Sequence, residues 1–176
     1  MMVHGFDMYR VFHSAPGDLE KEMDACRAAI GDVNETAAMP EKILLVSVGL
    51  VNDEQISSHR AAVADNIRQC SYFVQVFEDD WGPRNLFRKM FLLALECRED
   101  SGLPMREAVV FLKSAPKETD PQILAYRKEL EESPAVRVLY FEKPEDLKTQ
   151  LIEIGAGWVA AIQASARPET AGATTA

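Results

Sequence analysis

The sequence predicts an α/β protein: one sheet of five parallel strands in the order 2-1-3-4-5, with helices on both faces. Three observations carry this. Short apolar runs alternate with stretches of helical periodicity along the whole chain, giving five strands and five helices in strict βα alternation. Such alternation implies right-handed crossovers, which place helices on both faces of a parallel sheet. The run ILLVSV is apolar nearly throughout, as a strand buried on both faces must be. For five strands, 2-1-3-4-5 is the common order.

The first strand is read as Tyr9–Ser14, ending at a Pro-Gly turn. The first helix spans Asp18–Val33, with Leu19, Met23, Cys26, Ile30 and Val33 along one face. Ile43–Val48 is the second strand. A polar loop over 49–58 leads to a helix over His59–Gln69, whose inner side carries Val63, Ile67 and Cys70. Tyr72–Phe77 is the third strand and ends in the turn EDDWGPRN. The third helix, Leu86–Arg98, is apolar over more than one face, which predicts burial on more than one side and a cover such as a second copy or a protein partner. Ala108–Leu112, a helix over Pro121–Glu131 with Pro in its first turn, Val136–Tyr140 and a last helix from Pro144 complete the series. The composition predicts a single domain over 1–164 and a disordered small-polar tail over 165–176.

Composition excludes several functions. The 176 residues suit one domain with a sizeable core. A net charge of −9 argues against a nucleic-acid duplex and against an anionic membrane surface, because both attract cations. No apolar run reaches the ~20 residues of a membrane span, and MMVHGFDMYR has neither part of a signal peptide, so a cytoplasmic location is expected. Cys26, Cys70 and Cys97 are odd in number and widely spaced, which predicts reduced, buried thiols. The three histidines lie far apart, and no spacing matches a zinc site, so no metal and no cofactor is expected. There is no G-x-S-x-G motif, and His13 and Ser14 are adjacent strand residues that point to opposite faces.

Ligands of such sheets bind beyond the carboxyl ends of the strands, where strand order reverses. In the order 2-1-3-4-5 this lies between strands one and three, where HSAPGD (13–18) meets EDDWGPRN (78–85). HSAPGD is a poor phosphate cradle. It has one Gly, Pro16 lacks a donor, and Asp18, Glu20 and Glu22 already occupy the first turn of the helix. Two readings stand. In one, Asp18 caps the helix and Asp79 and Asp80 form a solvated turn. In the other, Ser14, Asp18, Asp79 and Asp80 surround a ribose or base, with Trp81 stacked on a ring.

The run YRVFHSAPGDLEKEMDACRAAI, with NIRQCSYFVQVFEDDWG and AVVFLK after it, resembles an uncharacterised TIR-like domain family. The resemblance covers residues 8–113. It implies a flavodoxin-like (TIR-like) three-layer fold, related to TIR domains and nucleoside 2-deoxyribosyltransferases. It also implies a ligand such as NAD or a nucleoside, and a site built from Ser14, Asp18, the Asp79–Trp81 turn and the third helix. Active relatives use a carboxylate on that helix to cleave an N-glycosidic bond. The matching position here is Met90, and Glu96 lies about six residues too late. Ser71 stands where the family carries an aspartate before the third strand. The resulting expectation is a non-catalytic signalling or interaction module that recognises a nucleotide-like ligand. The alternative is an N-glycosidase acting on NAD or nucleosides through a relocated carboxylate, with Asp79, Asp80 and Glu96 as candidates. A receiver-like signalling domain fits least, because the acidic pair after strand one is absent.

Overall fold

The computed structural model describes residues 2–3, 5–16, 18–49, 59–80, 85–115 and 118–166. Its elements are β1 (Met2–Val3), β2 (Phe6–Ser14), α1 (Glu20–Val33), β3 (Ile43–Val48), α2 (Arg60–Arg68), β4 (Tyr72–Phe77), α3 (Leu86–Glu99), β5 (Glu107–Lys113), α4 (Pro121–Glu132), β6 (Arg137–Phe141) and α5 (Pro144–Ala166). A π-helical turn, Asn34–Ala38, and a 3₁₀ turn, Met39–Glu41, link α1 to β3.

Strands β3-β2-β4-β5-β6 are all parallel, which is the order 2-1-3-4-5 among the five expected strands. The fold is flavodoxin-like α/β. One strand escaped the sequence. β1 pairs antiparallel with the start of β2, Met2 opposite Asp7 and Val3 opposite Phe6. Gly5, at φ +84°, makes the reversal. Two residues are too few to show a period of two, so no pattern marked them. β2 itself begins at Phe6, three residues before the expected start.

Alternating side chains divide the core into two layers. Val11, Tyr72, Val74, Val76, Val109 and Phe111 face α1 and α5. Phe12, Phe73, Phe77, Ala108, Val110 and Leu112 face α2, α3 and α4. On the first side α1 and α5 approach closely at Gly155, where a Cβ would stand 2.8 Å from Val33 Cγ2. There Trp158 stacks on Tyr72 at 4.1 Å between ring centroids, and its Nε1 donates to Glu107 Oε2 at 2.6 Å. At the β3 edge, Asn34 mimics a missing strand. Its Nδ2 donates to the Leu45 carbonyl and its Oδ1 accepts from the Leu45 N–H, both at 2.8 Å.

On the second side α3 buries Leu86, Phe87, Met90, Phe91 and Ala94 against the protein's own sheet and neighbouring helices. The breadth of its apolar surface is therefore largely accounted for within the chain. Leu92, 44% exposed, is the large apolar residue of this helix left in solvent. Cys26, Cys70 and Cys97 are buried free thiols, and burial pushes Cys26 and Cys70 up to about 12, which leaves them inert as nucleophiles. Among the described residues, no helix is long and apolar enough to cross a membrane.

Candidate functional site at the carboxyl edge of the sheet

β2 and β4 are neighbours at the reversal of strand order, and Ser14 pairs in register with Gln75. Strand alternation turns both side chains toward the α2–α3–α4 layer, one step beyond the stacked rings of Phe12 and Phe73. Both residues are fully enclosed, at 1% and 0% exposure. Gln75 Nε2 donates to the carbonyls of Ser14 (3.2 Å) and Val76 (2.9 Å). Among the described residues, Ser14 Oγ and Gln75 Oε1 have no hydrogen-bond partner. A buried polar atom left unpaired costs about 1–3 kcal/mol, and these two lie on neighbouring strands at the carboxyl edge of the sheet.

The expected cap does not form at Asp18. Leu19 occupies the N-cap position of α1 without a side-chain cap, and its N–H bonds the Pro16 carbonyl at 3.0 Å. Asp18 instead joins Glu78 and Asp79 in a triad whose carboxylate oxygens lie within 4.8 Å of one another. These three oxygen donors could hold a hard divalent cation, a grouping that spacing in the sequence did not reveal. Lys113, at the end of β5, reaches Glu22 Oε1 at 2.9 Å and Glu78 Oε2 at 3.6 Å. Burial, opposed by Lys113 and aided by Asp79, holds the Glu78 carboxyl above its usual range. Asp79 is likewise raised, by partial burial first and then by Asp18, Glu118 and Asp80. Arg127 of α4 ties the strand ends together by donating to the carbonyls of Glu78 (2.8 Å) and Lys113 (3.0 Å).

On the other flank, Asp79 and Asp80 line a polar cavity of about 280 Å³ between the starts of α3 and α4. Asn85, Arg88, Asp120, Gln122, Ile123 and Tyr126 complete its wall. Asn85 sits at φ 56° as the N-cap of α3, and Asp120 caps α4 by accepting from the Gln122 N–H at 2.8 Å. The Arg88 guanidinium lies over the Tyr126 ring, 5.2 Å from its centroid. Carboxylates that accept, an amide and a guanidinium that donate, and one aromatic ring suit a hydroxyl-bearing ligand.

The fold thus brings Asp18 to Asp79, and Asp79 to Asp80. Ser14 does not line the Asp79–Asp80 cavity. Met90 does not face it either. It is 5% exposed and lines a separate groove between α2 and α3. Glu96 is exposed farther along α3. Trp81 lies outside the described residues. Glu78, Glu22, Lys113, Gln75, Arg88 and Tyr126 were not singled out as site residues from sequence. Gln75, a lone amide inside an otherwise apolar central strand, is the one that sequence could have flagged.

No family model matches the chain, and no curated protein matches it. Sixteen chains of solved structures do. One is described as the metal-soaked Flv1 flavodiiron core from Synechocystis sp. PCC6803, 11% identical, with a TM-score of 0.48. The match covers 93% of this chain and 37% of that one. A likeness at that level carries no argument about function.

Proposed function

We propose that this chain is a non-catalytic TIR-like module for signalling or interaction, which recognises a nucleotide-like ligand at the carboxyl edge of its sheet without cleaving it. The observation that carries this reading is Met90. Where the resemblance calls for the carboxylate that engages ribose, α3 offers a thioether packed in the apolar α2–α3–α4 layer. Glu96 is exposed, at the far end of the helix. Without that carboxylate, a developing oxocarbenium ion loses its main electrostatic support, and such losses cost orders of magnitude in rate. Recognition without cleavage is supported by the hydroxyl-suited cavity at Asp79 and Asp80.

A second reading, an N-glycosidase with a relocated carboxylate, is favoured by one observation. Asp79 is held above its ordinary range beside Asp18, as a general acid must be. Chromatographic product analysis separates the two. The protein is incubated at high concentration with NAD, NADP and a panel of nucleosides, alongside an Asp79→Ala/Asp80→Ala variant. The binding module releases no nicotinamide or free base, and calorimetry detects a ligand whose affinity falls in the variant. Release that disappears in the variant makes the chain a glycosidase. No heat with any member of the panel removes the nucleotide-like ligand.

A further inference from the structure

We infer that the groove between α2 and α3 docks an acidic amphipathic helix of a partner protein. The groove is lined by Val63, Ala64, Ile67, Leu86, Met90 and Leu93, and encloses about 140 Å³. A dry apolar cavity of about 150 Å³ takes a benzene ring, so the space here fits one aromatic or leucine side chain. An anchor side chain seated in an apolar pocket is the pattern of an interface centre.

The charge of the rim decides the occupant. Arg60 and Lys89 stand at the groove, both exposed, and neither forms an ion pair among the described residues. The chain as a whole carries −9, yet the two charged residues that line this groove are both cations. At physiological salt the screening length is about 8 Å, so a docked carboxylate meets these cations rather than the distant excess of acid. A groove bounded by two helices takes a third helix, which presents anchors at i and i+3 or i+4 with carboxylates flanking them. A second copy of this chain fits less well, because a two-fold pair brings the same two cations to both sides of one interface.

The inference rests on the binding-module reading and names its protein partner. The test is selection from a displayed library of amphipathic helical peptides. Apolar anchor positions vary among Leu, Phe and Ala, and flanking positions vary among Glu, Lys and Ser. The full chain is the bait. Glu-flanked peptides with a Phe or Leu anchor are expected to dominate, with dissociation constants of roughly 10–100 μM. Arg60→Glu/Lys89→Glu, two exposed changes, should weaken them by at least about tenfold while circular dichroism stays unchanged. No enrichment, enrichment of basic or neutral peptides, or equal binding to the variant overturns the inference. So does a concentration-dependent dimer in sedimentation velocity that the variant abolishes, which assigns the groove to a second copy. Base release in the chromatographic assay refutes the non-catalytic reading through a different measurement, so the two failures are told apart.

Discussion

His13 should make this protein acid-sensitive over a window set by one imidazole. It is the penultimate residue of β2 and is 2% exposed. Nε2 lies 3.0 Å from Ser47 Oγ, and Nδ1 has no partner among the described residues. Burial, with the Arg27 cation adding to it, lowers its pKa to about 3. The unfolded chain titrates near the ordinary value of about 6.5. A histidine with a lowered folded pKa stabilises the native state fully above the unfolded value. That contribution is lost as pH falls toward the folded value, because the unfolded chain binds the proton first. Between about pH 7.5 and about pH 5 the loss is about 2 kcal/mol, and it reaches about 4 kcal/mol near pH 3. Urea denaturation at the two higher pH values measures it, with His13→Gln as reference. The amide keeps a polar partner for Ser47 but does not titrate, and the raised carboxyls of Glu78 and Asp79 act equally in both proteins. The wild type should lose about 2 kcal/mol more than the variant on acidification. Equal losses, or a His13 imidazole that titrates near 6.5 in the folded protein by NMR, refute the reasoning.

Other outcomes follow from contacts already described. Gly155→Ala pushes a methyl group to 2.8 Å from Val33 Cγ2 and should cost about 1–2 kcal/mol in denaturation, the better helix propensity offsetting part of the clash. In Gly155→Ala/Val33→Ala the combined cost should be smaller than the sum of the single changes. Asn34→Ala leaves the Leu45 N–H and carbonyl unpaired at the edge of β3, and should cost about 1–3 kcal/mol and increase aggregation on heating, read by calorimetry and light scattering. Asp79→Asn removes a negative neighbour from Glu78 and should move the Glu78 carboxyl titration downward in carbon-detected NMR. No movement would separate Asp79 from the triad.

The fold was readable because its signals are local. A near-continuous apolar run marked β3, and a face at helical spacing marked α1. Local signals also misled. Asp18 has the chemistry of an N-cap, but the chain enters α1 one residue later, and Asp18 turns toward the end of β4. The rule for ligand crevices located the edge near residues 14–18 and 78–85, and Asp18, Asp79 and Asp80 lie there. It could not show that Asp79 faces both the triad and the α3–α4 cavity. Nor could it show that Lys113 bridges Glu22 to Glu78, since these three residues come from three separate segments of the chain.

By itself the sequence determined the parallel sheet, its strand order and the absence of a carboxylate at position 90, because periodicity and residue identity are properties of the chain. Only the tertiary structure decided that Met90 belongs to the apolar layer, that His13 is enclosed, and that Ser14 and Gln75 are buried in register on neighbouring strands. Protonation, desolvation and hydrogen bonding depend on distances through space. Those distances exist only once crossovers have brought remote strand ends together.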